Sequence, residues 1–249
     1  DFVHEAFALP REYFEAGVRR YGFHGLSYEY IAARLRELDP PAGAGRVVAA
    51  HLGSGASLCA MRDGRSVASS MGFSALDGLP MGTRPGHLDA GVLLWLMSER
   101  HMDTRALTDL LYKHSGLKGM SGLSGDIRDL HASALPDAAL AIDYFVSQLC
   151  QQIAGMAATL GGLDSLVFTA GIGENDVEVR ARAMAGLRFL GVQADLAANE
   201  RHGEGRDGLI SSADSAVRVR VIPTNEELMI ARHLAALMVP QPGGAGCAR

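Results

Sequence analysis

The sequence predicts an α/β fold, a mixed sheet with flanking helices. Three observations lead there. Two β-compatible runs flank Asp63-Gly64, a dipeptide that favours a tight hairpin. Apolar residues recur at helical spacing from 138 to 160. Strand–turn–helix units follow late in the chain, at 165–186 and 217–238. An antiparallel hairpin together with such units makes one mixed sheet covered by helices the natural architecture.

Taken in order, residues 11–38 read as helix in two pieces, broken by Gly22 and Gly25 around His24. The run 46–51 is apolar and ends in Leu-Gly-Ser-Gly, as a buried strand entering a tight turn does. With the two runs beside Asp63-Gly64, residues 46–70 form a three-stranded antiparallel meander. Residues 71–89 are rich in Gly and Pro and lack periodicity, so they predict a long structured loop, a kind of segment that often carries function. Residues 90–100 and 103–114 read as helices. The stretch 121–130 is a Gly/Ser loop opening a helix, with Asp126 in its first turn. Ile142, Phe145, Val146, Leu149, Ile153 and Met156 make 138–160 a long amphipathic helix, ended by Gly161-Gly162. A strand and glycine turn follow at 165–173, helix from 174 to 186, and a strand at 217–224. The last helix, 225–238, starts on Asn225-Glu226-Glu227, which suits an N-terminal cap. The tail 241–249 has a disordered composition.

The chain has 249 residues, 48% of them apolar and 20% charged, as in a soluble globular protein. Its net charge of −5, with no long basic run, argues against nucleic acid as a partner. No apolar stretch reaches the roughly 18 residues of a membrane span. Cys59, Cys150 and Cys247 lie far apart, which speaks against disulfides or a zinc site and fits a reducing cytosol. The chain begins at Asp1 without an initiator Met, a charged n-region or an apolar h-region, and so reads as a cut made inside a larger protein.

Three glycine-bearing turns are predicted after strands: 51–55, 122–128 and 169–175. Glycine lets backbone amides approach a phosphate closely, and a helix N-terminus adds its own amides. Each turn alone is as readily a plain connection; three together favour a nucleotide. The 171–175 stretch is not a dinucleotide fingerprint, because its strand comes late and its spacing differs. His24, between two glycines, is either a surface histidine or one held near a ligand. His51 ends a buried strand and reads equally as a satisfied core-edge histidine. Arg84 lies deep in the uncharged part of the long loop and needs an anionic partner. That partner is Asp77, Asp89, or a phosphoryl or carboxylate matching its planar fork. Glu226 and Glu227 complement a helix dipole or hold a cation. Asp126 and Arg128 divide the same way between mutual pairing and ligand binding.

Six blocks, in order, resemble the acetate kinase family, within the superfamily that also holds sugar kinases, actin and the heat-shock chaperone ATPases. They are RRYGFHG (19–25), HLGSGAS (51–57), SMGFSALDGLPMGTR (70–84), SGLSGDIRD (121–129), FTAGIGEN (168–175) and VIPTNEELMIAR (221–232). The resemblance implies a ribonuclease-H-like, actin-like ATPase domain. It implies that residues 1–20 are a remnant of the interdomain region and 21–240 a C-terminal nucleotide-binding and dimerisation domain, the N-terminal domain being absent. It implies ATP + acetate ⇌ ADP + acetyl phosphate, with Mg2+ (Mn2+ as a substitute), in a cytoplasmic homodimer.

The same resemblance assigns residues. His24 and Arg84 look like the pair that stabilises charge on the transferring phosphoryl, and Glu226 like the Mg2+-linked carboxylate. His51, Leu52, Gly53, Ser54 and Gly55 look like the turn around the nucleotide phosphates. Asp126, Ile127 and Arg128, with Gly171, Ile172, Gly173, Glu174 and Asn175, look like adenosine-side contacts. Phe23 and Ala75 look like the lining of the acyl pocket. Ser54 stands where the family usually has Asn, and Ala75 where it usually has Pro, which would let the pocket admit propionate. With no counterpart of the N-terminal domain, the expectation is that the isolated chain turns over little or nothing. Two alternatives remain: a nucleotide-binding and dimerisation module without turnover, and a propionate kinase.

Overall fold

A single mixed sheet of five strands organises residues 2–238, the part of the chain that the computed structural model describes. The strands are β1 (Arg46–Leu52), β2 (Ala56–Arg62), β3 (Arg65–Ser69), β4 (Ser165–Thr169) and β5 (Arg218–Val221), and they lie side by side as β3-β2-β1-β4-β5. β1, β2 and β3 are the expected antiparallel meander, while β4 and β5 add parallel to β1. Asp63 and Gly64 both take positive φ, 52° and 70°, as a two-residue hairpin that follows the strand twist requires.

Helices cover both faces. Before the sheet come α1 (Phe2–Glu5), α2 (Arg11–Glu15), α3 (Gly25–Leu38) and α4 (Pro40–Gly43). After the meander come α5 (Ala90–Glu99), α6 (Thr104–Lys113), α7 (Gly116–Ser121), α8 (Ile127–His131) and α9 (Pro136–Leu160). Then follow α10 (Ala170–Asn175), α11 (Val177–Gly186), a 3-10 turn at Arg188–Leu190, α12 (Leu196–Glu200) and α13 (Glu226–Met238). β1 is buried on both faces because its side chains alternate between two cores. Val48, Ala50 and Leu52 face α9, with Phe145, Leu149 and Ile153. Val47 and Ala49 face α3, with Tyr28, Ile31 and Leu35. The α9 stripe begins two residues earlier than its apolar pattern, since Pro136 fits the first helical turn, and Gly161 closes it at φ 73°.

Several expectations are corrected. The first helical piece shrinks to Arg11–Glu15, because Gly17 and Gly22 at φ 94° and 70° leave the helical region. α7 was not foreseen, and its presence means that the 122–128 turn follows a helix and not a strand. Asp126 is the N-cap of α8, accepting from the Arg128 amide, and so precedes the first turn. Residues 170–175 are themselves helical, so the bend after β4 falls on Ala170, at φ 64°. The expectation for 241–249 lies outside the described residues.

At the opposite end of the sheet from the glycine turns, Asp39 is buried and accepts from Arg218 and Arg220 of β5 while capping α4. Removing one member of such a buried set leaves its partner's charge uncompensated.

Candidate active site

β1 and β4 run parallel and end together, His51 opposite Thr169, so the turns that follow them share one rim of the sheet. In open α/β sheets that carboxyl-end rim is where ligands sit. The turn after β1 closes on itself through the Gly53 amide bonded to the Gly55 carbonyl at 3.1 Å. His24 reaches the same place from α3, whose N-cap it forms in the left-handed region at φ 58°.

His24 and His51 stack, with ring centroids 4.0 Å apart and planes 13° from parallel. His24 Nδ1 is 2.8 Å from Ser57 Oγ, and His51 Nδ1 is 2.9 Å from Ser27 Oγ. Gly55 is where two charge-handling groups converge. A side chain there would lie 2.8 Å from Arg84 Nη2 and 3.4 Å from His24 Nε2, so only the absent Cβ leaves that space open.

Arg84 Nη1 donates to the Ala75 carbonyl at 2.8 Å, and among the described residues the guanidinium has no ion pair. The two carboxylates that might have matched it are engaged elsewhere. Asp77 pairs with Arg20 at 2.9 Å, and Asp89 caps α5. A half-buried guanidinium without a carboxylate is a ready seat for an anion. Burial lowers the Arg84 pKa, leaving it a cation.

Burial likewise lowers His24, opposed by the negative charge of Glu226 and assisted by Arg84. Glu226 is therefore within electrostatic reach of His24. It begins α13 and makes no hydrogen bond or ion pair among the described residues. Those residues contain no group of three metal-ligating side chains. A single free carboxylate still fits Mg2+, which takes most of its ligands from water and substrate phosphates.

On the side expected for the nucleoside, Asp126 caps α8 and pairs with Arg128 at 2.5 Å, so the two neutralise each other. Ile127 is buried. Glu174 Oε1 accepts from the Ala170 amide at 2.8 Å and the Thr224 amide at 3.1 Å, tying α10 to the approach to α13. Asn175 Nδ2 bonds the Gly171 carbonyl. Gly171 faces open space, and Gly173 packs on Phe168. Phe23 is exposed and Ala75 half-buried. The structure thus brings together His24, His51, Gly53, Gly55, Arg84 and Glu226, with α10 and α8 as neighbouring walls. A cleft of about 660 Å3 lies beyond Tyr28, between the N-terminal segment and β3, and none of Arg84, His51 or Glu226 lines it. Convergence of charge, not concavity, marks the site.

Residues that the sequence reading missed are Ser27, Ser57, Tyr28, Thr224 and Arg180. The available signal was a polar residue on a buried face. Arg180 falls between Val179 and Ala183 on the inward side of α11, and Ser57 lies inside an otherwise apolar strand.

His51 makes a pH prediction. Burial first, and His24 second, pull it down to about 4. Unfolded, it titrates near 6.5. Between those values the unfolded chain holds the extra proton. Stability is therefore intact above about pH 6.5 and is lost as pH falls toward about 4, by about 3 kcal/mol. Urea midpoints near pH 7 and about pH 4.5 check this. The acid loss should be smaller in His51→Asn than in the wild type; an equal loss in both would remove His51 as the cause.

A model of the Acetokinase family matches residues 4–232. The acetate kinase of Methylocella silvestris is 58% identical over 237 residues, covering 95% of this chain and 58% of that protein. The acetate kinase of Nitrobacter hamburgensis is 54% identical over 239 residues, covering 96% and 58%. Among solved structures, Porphyromonas gingivalis acetate kinase superposes with a TM-score of 0.90 at 36% identity, over 96% of this chain and 61% of that one. A Francisella tularensis propionate kinase gives 0.86 at 34% identity, over 93% and 60%. The fold is thus the ribonuclease-H-like, actin-like ATPase fold. The chain spans 58% of the length of the curated relatives it matches.

Proposed function

The chain belongs to the acetokinase family, and from that premise we propose that it carries the phosphoryl-stabilising part of an ATP-dependent acetate kinase. The supporting observation is the convergence of Arg84 Nη2 and His24 Nε2 over Gly55. In the transfer, an acetate oxygen forms a bond to the γ-phosphorus as the bond from that phosphorus to the bridging oxygen of ADP breaks. The acceptor is already an anion, so no proton need be removed. What the reaction requires is positioning and neutralisation of charge. Arg84 offers its fork and His24 a ring N–H to the transferring group, and the Gly53–Gly55 turn borders the phosphates. Glu226 would hold Mg2+, which when bound would supply neutralisation of phosphate charge. Ile127, Arg128 and α10 border the nucleoside.

Hydroxylamine trapping of acetyl phosphate with ATP and acetate tests this in the full-length protein. Absence of acyl hydroxamate would overturn it. The 249-residue chain by itself should turn over little or nothing, since single losses from a cooperating set already cost orders of magnitude. Calorimetry should still register ADP. Propionate is a second acceptor, favoured by Ala75 in the acyl pocket. One methylene is worth about 1–3 kcal/mol there, so the ratio of kcat/KM for the two acids decides the preference.

We assign the partner copy to α5. None of its ten residues is buried, although Leu94, Trp95 and Met97 are apolar, and Leu94 and Trp95 are 67% and 48% exposed. An apolar helix left entirely outside a core marks an interface. Trp95→Glu should convert a homodimer to monomer in sizing with light scattering; a dimer that persists would move the interface elsewhere. Among the described residues no helix is long and apolar enough to cross a membrane, and we place the reaction in the cytoplasm.

A further inference from the structure

We propose that two hydroxyl relays, Tyr28–Ser57 and Thr224–Ser27, hold the stacked His24 and His51 as neutral imidazoles protonated on Nε2, making them paired hydrogen-bond donors and not bases or cations. The inference rests on the phosphoryl-transfer reading for its use, though not for its geometry.

The two histidines are built alike. Each Nδ1 meets a serine hydroxyl, Ser57 at 2.8 Å and Ser27 at 2.9 Å. Each serine meets a second hydroxyl. Tyr28 Oη lies 2.5 Å from Ser57 Oγ, and Thr224 Oγ1 lies 2.8 Å from Ser27 Oγ. A serine has one proton to give. If Ser57 gave it to Tyr28, the buried phenol proton would have no side-chain acceptor among the described residues, which is costly. Tyr28 therefore donates to Ser57, and Ser57 to His24 Nδ1. In the second relay Thr224 Oγ1 donates to Ser27 Oγ, which leaves the proton of the buried Ser27 for His51 Nδ1. A ring nitrogen that accepts carries no proton, so each neutral ring holds its proton on Nε2.

Those Nε2 atoms face the glycine turn. His24 Nε2 is 3.4 Å from where a Cβ of Gly55 would lie, and His51 Nε2 is 3.8 Å from that of Gly53. Two imidazoles stacked at 4.0 Å repel each other if both are charged. Burial disfavours the charged form of both. The pair thus presents fixed N–H groups whose aim does not change when charge builds on the phosphoryl. Ser57, Tyr28, Ser27 and Thr224 are positioning residues, since they act through the rings.

Long-range 1H–15N NMR of the 15N-histidine-labelled full-length protein, near neutral pH and without substrate, reads the tautomers directly. The expected spectrum shows both rings neutral with protonated Nε2. A protonated Nδ1 on either ring, or an imidazolium, would overturn the proposal. Ser57→Ala should turn His24 into a tautomer mixture while His51 stays as it was, and Ser57→Thr should restore it. In the trapping assay Ser57→Ala should lower kcat by about 10- to 100-fold, the usual effect of losing the partner that orients an imidazole, with KM for ATP changed less than about twofold. A tautomer mixture with unchanged kcat would overturn the positioning role. Expected tautomers in a wild-type protein that makes no acetyl phosphate would refute the kinase reading and leave the relays standing.

Discussion

Arg84→Ala should lower acetyl phosphate formation in the full-length protein by about 10^3- to 10^5-fold, the range found when a guanidinium that neutralises a transferring phosphoryl is removed. The argument is one of placement. Arg84 is tethered on one side by the Ala75 carbonyl, its fork is free of carboxylates among the described residues, and its other nitrogen opens onto Gly55 beside His24. Because the interaction strengthens as charge moves in the transition state, the loss should fall on kcat. Calorimetric affinity for ADP should change by less than about tenfold, as ADP lacks the transferred group. Arg84→Lys should recover only part of the rate, because an ammonium keeps the charge and loses the planar fork. A kcat within about tenfold of the wild type for Arg84→Ala would remove Arg84 from the reaction.

The second large effect concerns stability. Arg180 is fully buried, and no carboxylate among the described residues pairs with it. Its donors go chiefly to oxygen dipoles, Nε to Asn199 Oδ1, Nη1 to the Gly173 and Glu174 carbonyls and Nη2 to the Asn199 carbonyl, with His202 Nδ1 3.1 Å from Nη2. It thereby fastens α10 to α12, and α10 is a wall of the site. Burial brings its pKa down to about 10, still well above neutrality. Arg180→Met keeps much of the volume and strands Asn199 Oδ1 and the Gly173 carbonyl, each at about 1–3 kcal/mol, while the Asn199 and Glu174 carbonyls keep the His202 amide and ring as second partners. The sum is about 2–6 kcal/mol, a large share of the 5–15 kcal/mol typical of a domain. Tm should fall by about 4–20 °C. A fall under about 3 °C would show the acceptors satisfied by other means.

Much of the fold could be read from local chemistry. Asp63-Gly64 specified the hairpin because both positions tolerate positive φ, and the α9 stripe was visible because its apolar residues recur from Ala138 to Leu160, about six turns. The bend after β4 was misplaced because a left-handed Ala170 has no sequence signature, and the neighbouring glycines drew the turn onto themselves. α7 was missed because Gly116 and Gly119 sit within it. Gly116 needs φ 61° and would place a Cβ 2.1 Å from the Met81 carbonyl, a tertiary demand invisible in one strand of sequence. Of the proposed site, His24, His51 and Arg84 stood out by residue type and glycine context, and Glu226 by its place at a helix start. The serines behind the histidines did not, because a hydroxyl in a buried strand carries no meaning until its partner, 33 residues away for Ser57, is placed.

The contact between Gly82 and Gly125 has a mechanical consequence. A Cβ on Gly82 would lie 2.9 Å from the Gly125 carbonyl oxygen, and one on Gly125 2.7 Å from that of Gly82. The Gly82 amide also bonds the Ser54 carbonyl at 3.3 Å. Three loops therefore touch main chain to main chain: the one bearing Arg84, the one leading into the Asp126 cap, and the one after β1. No flexible side chain stands between them to absorb a displacement. A displacement of the loop before Asp126 therefore meets the Arg84 loop as main chain against main chain.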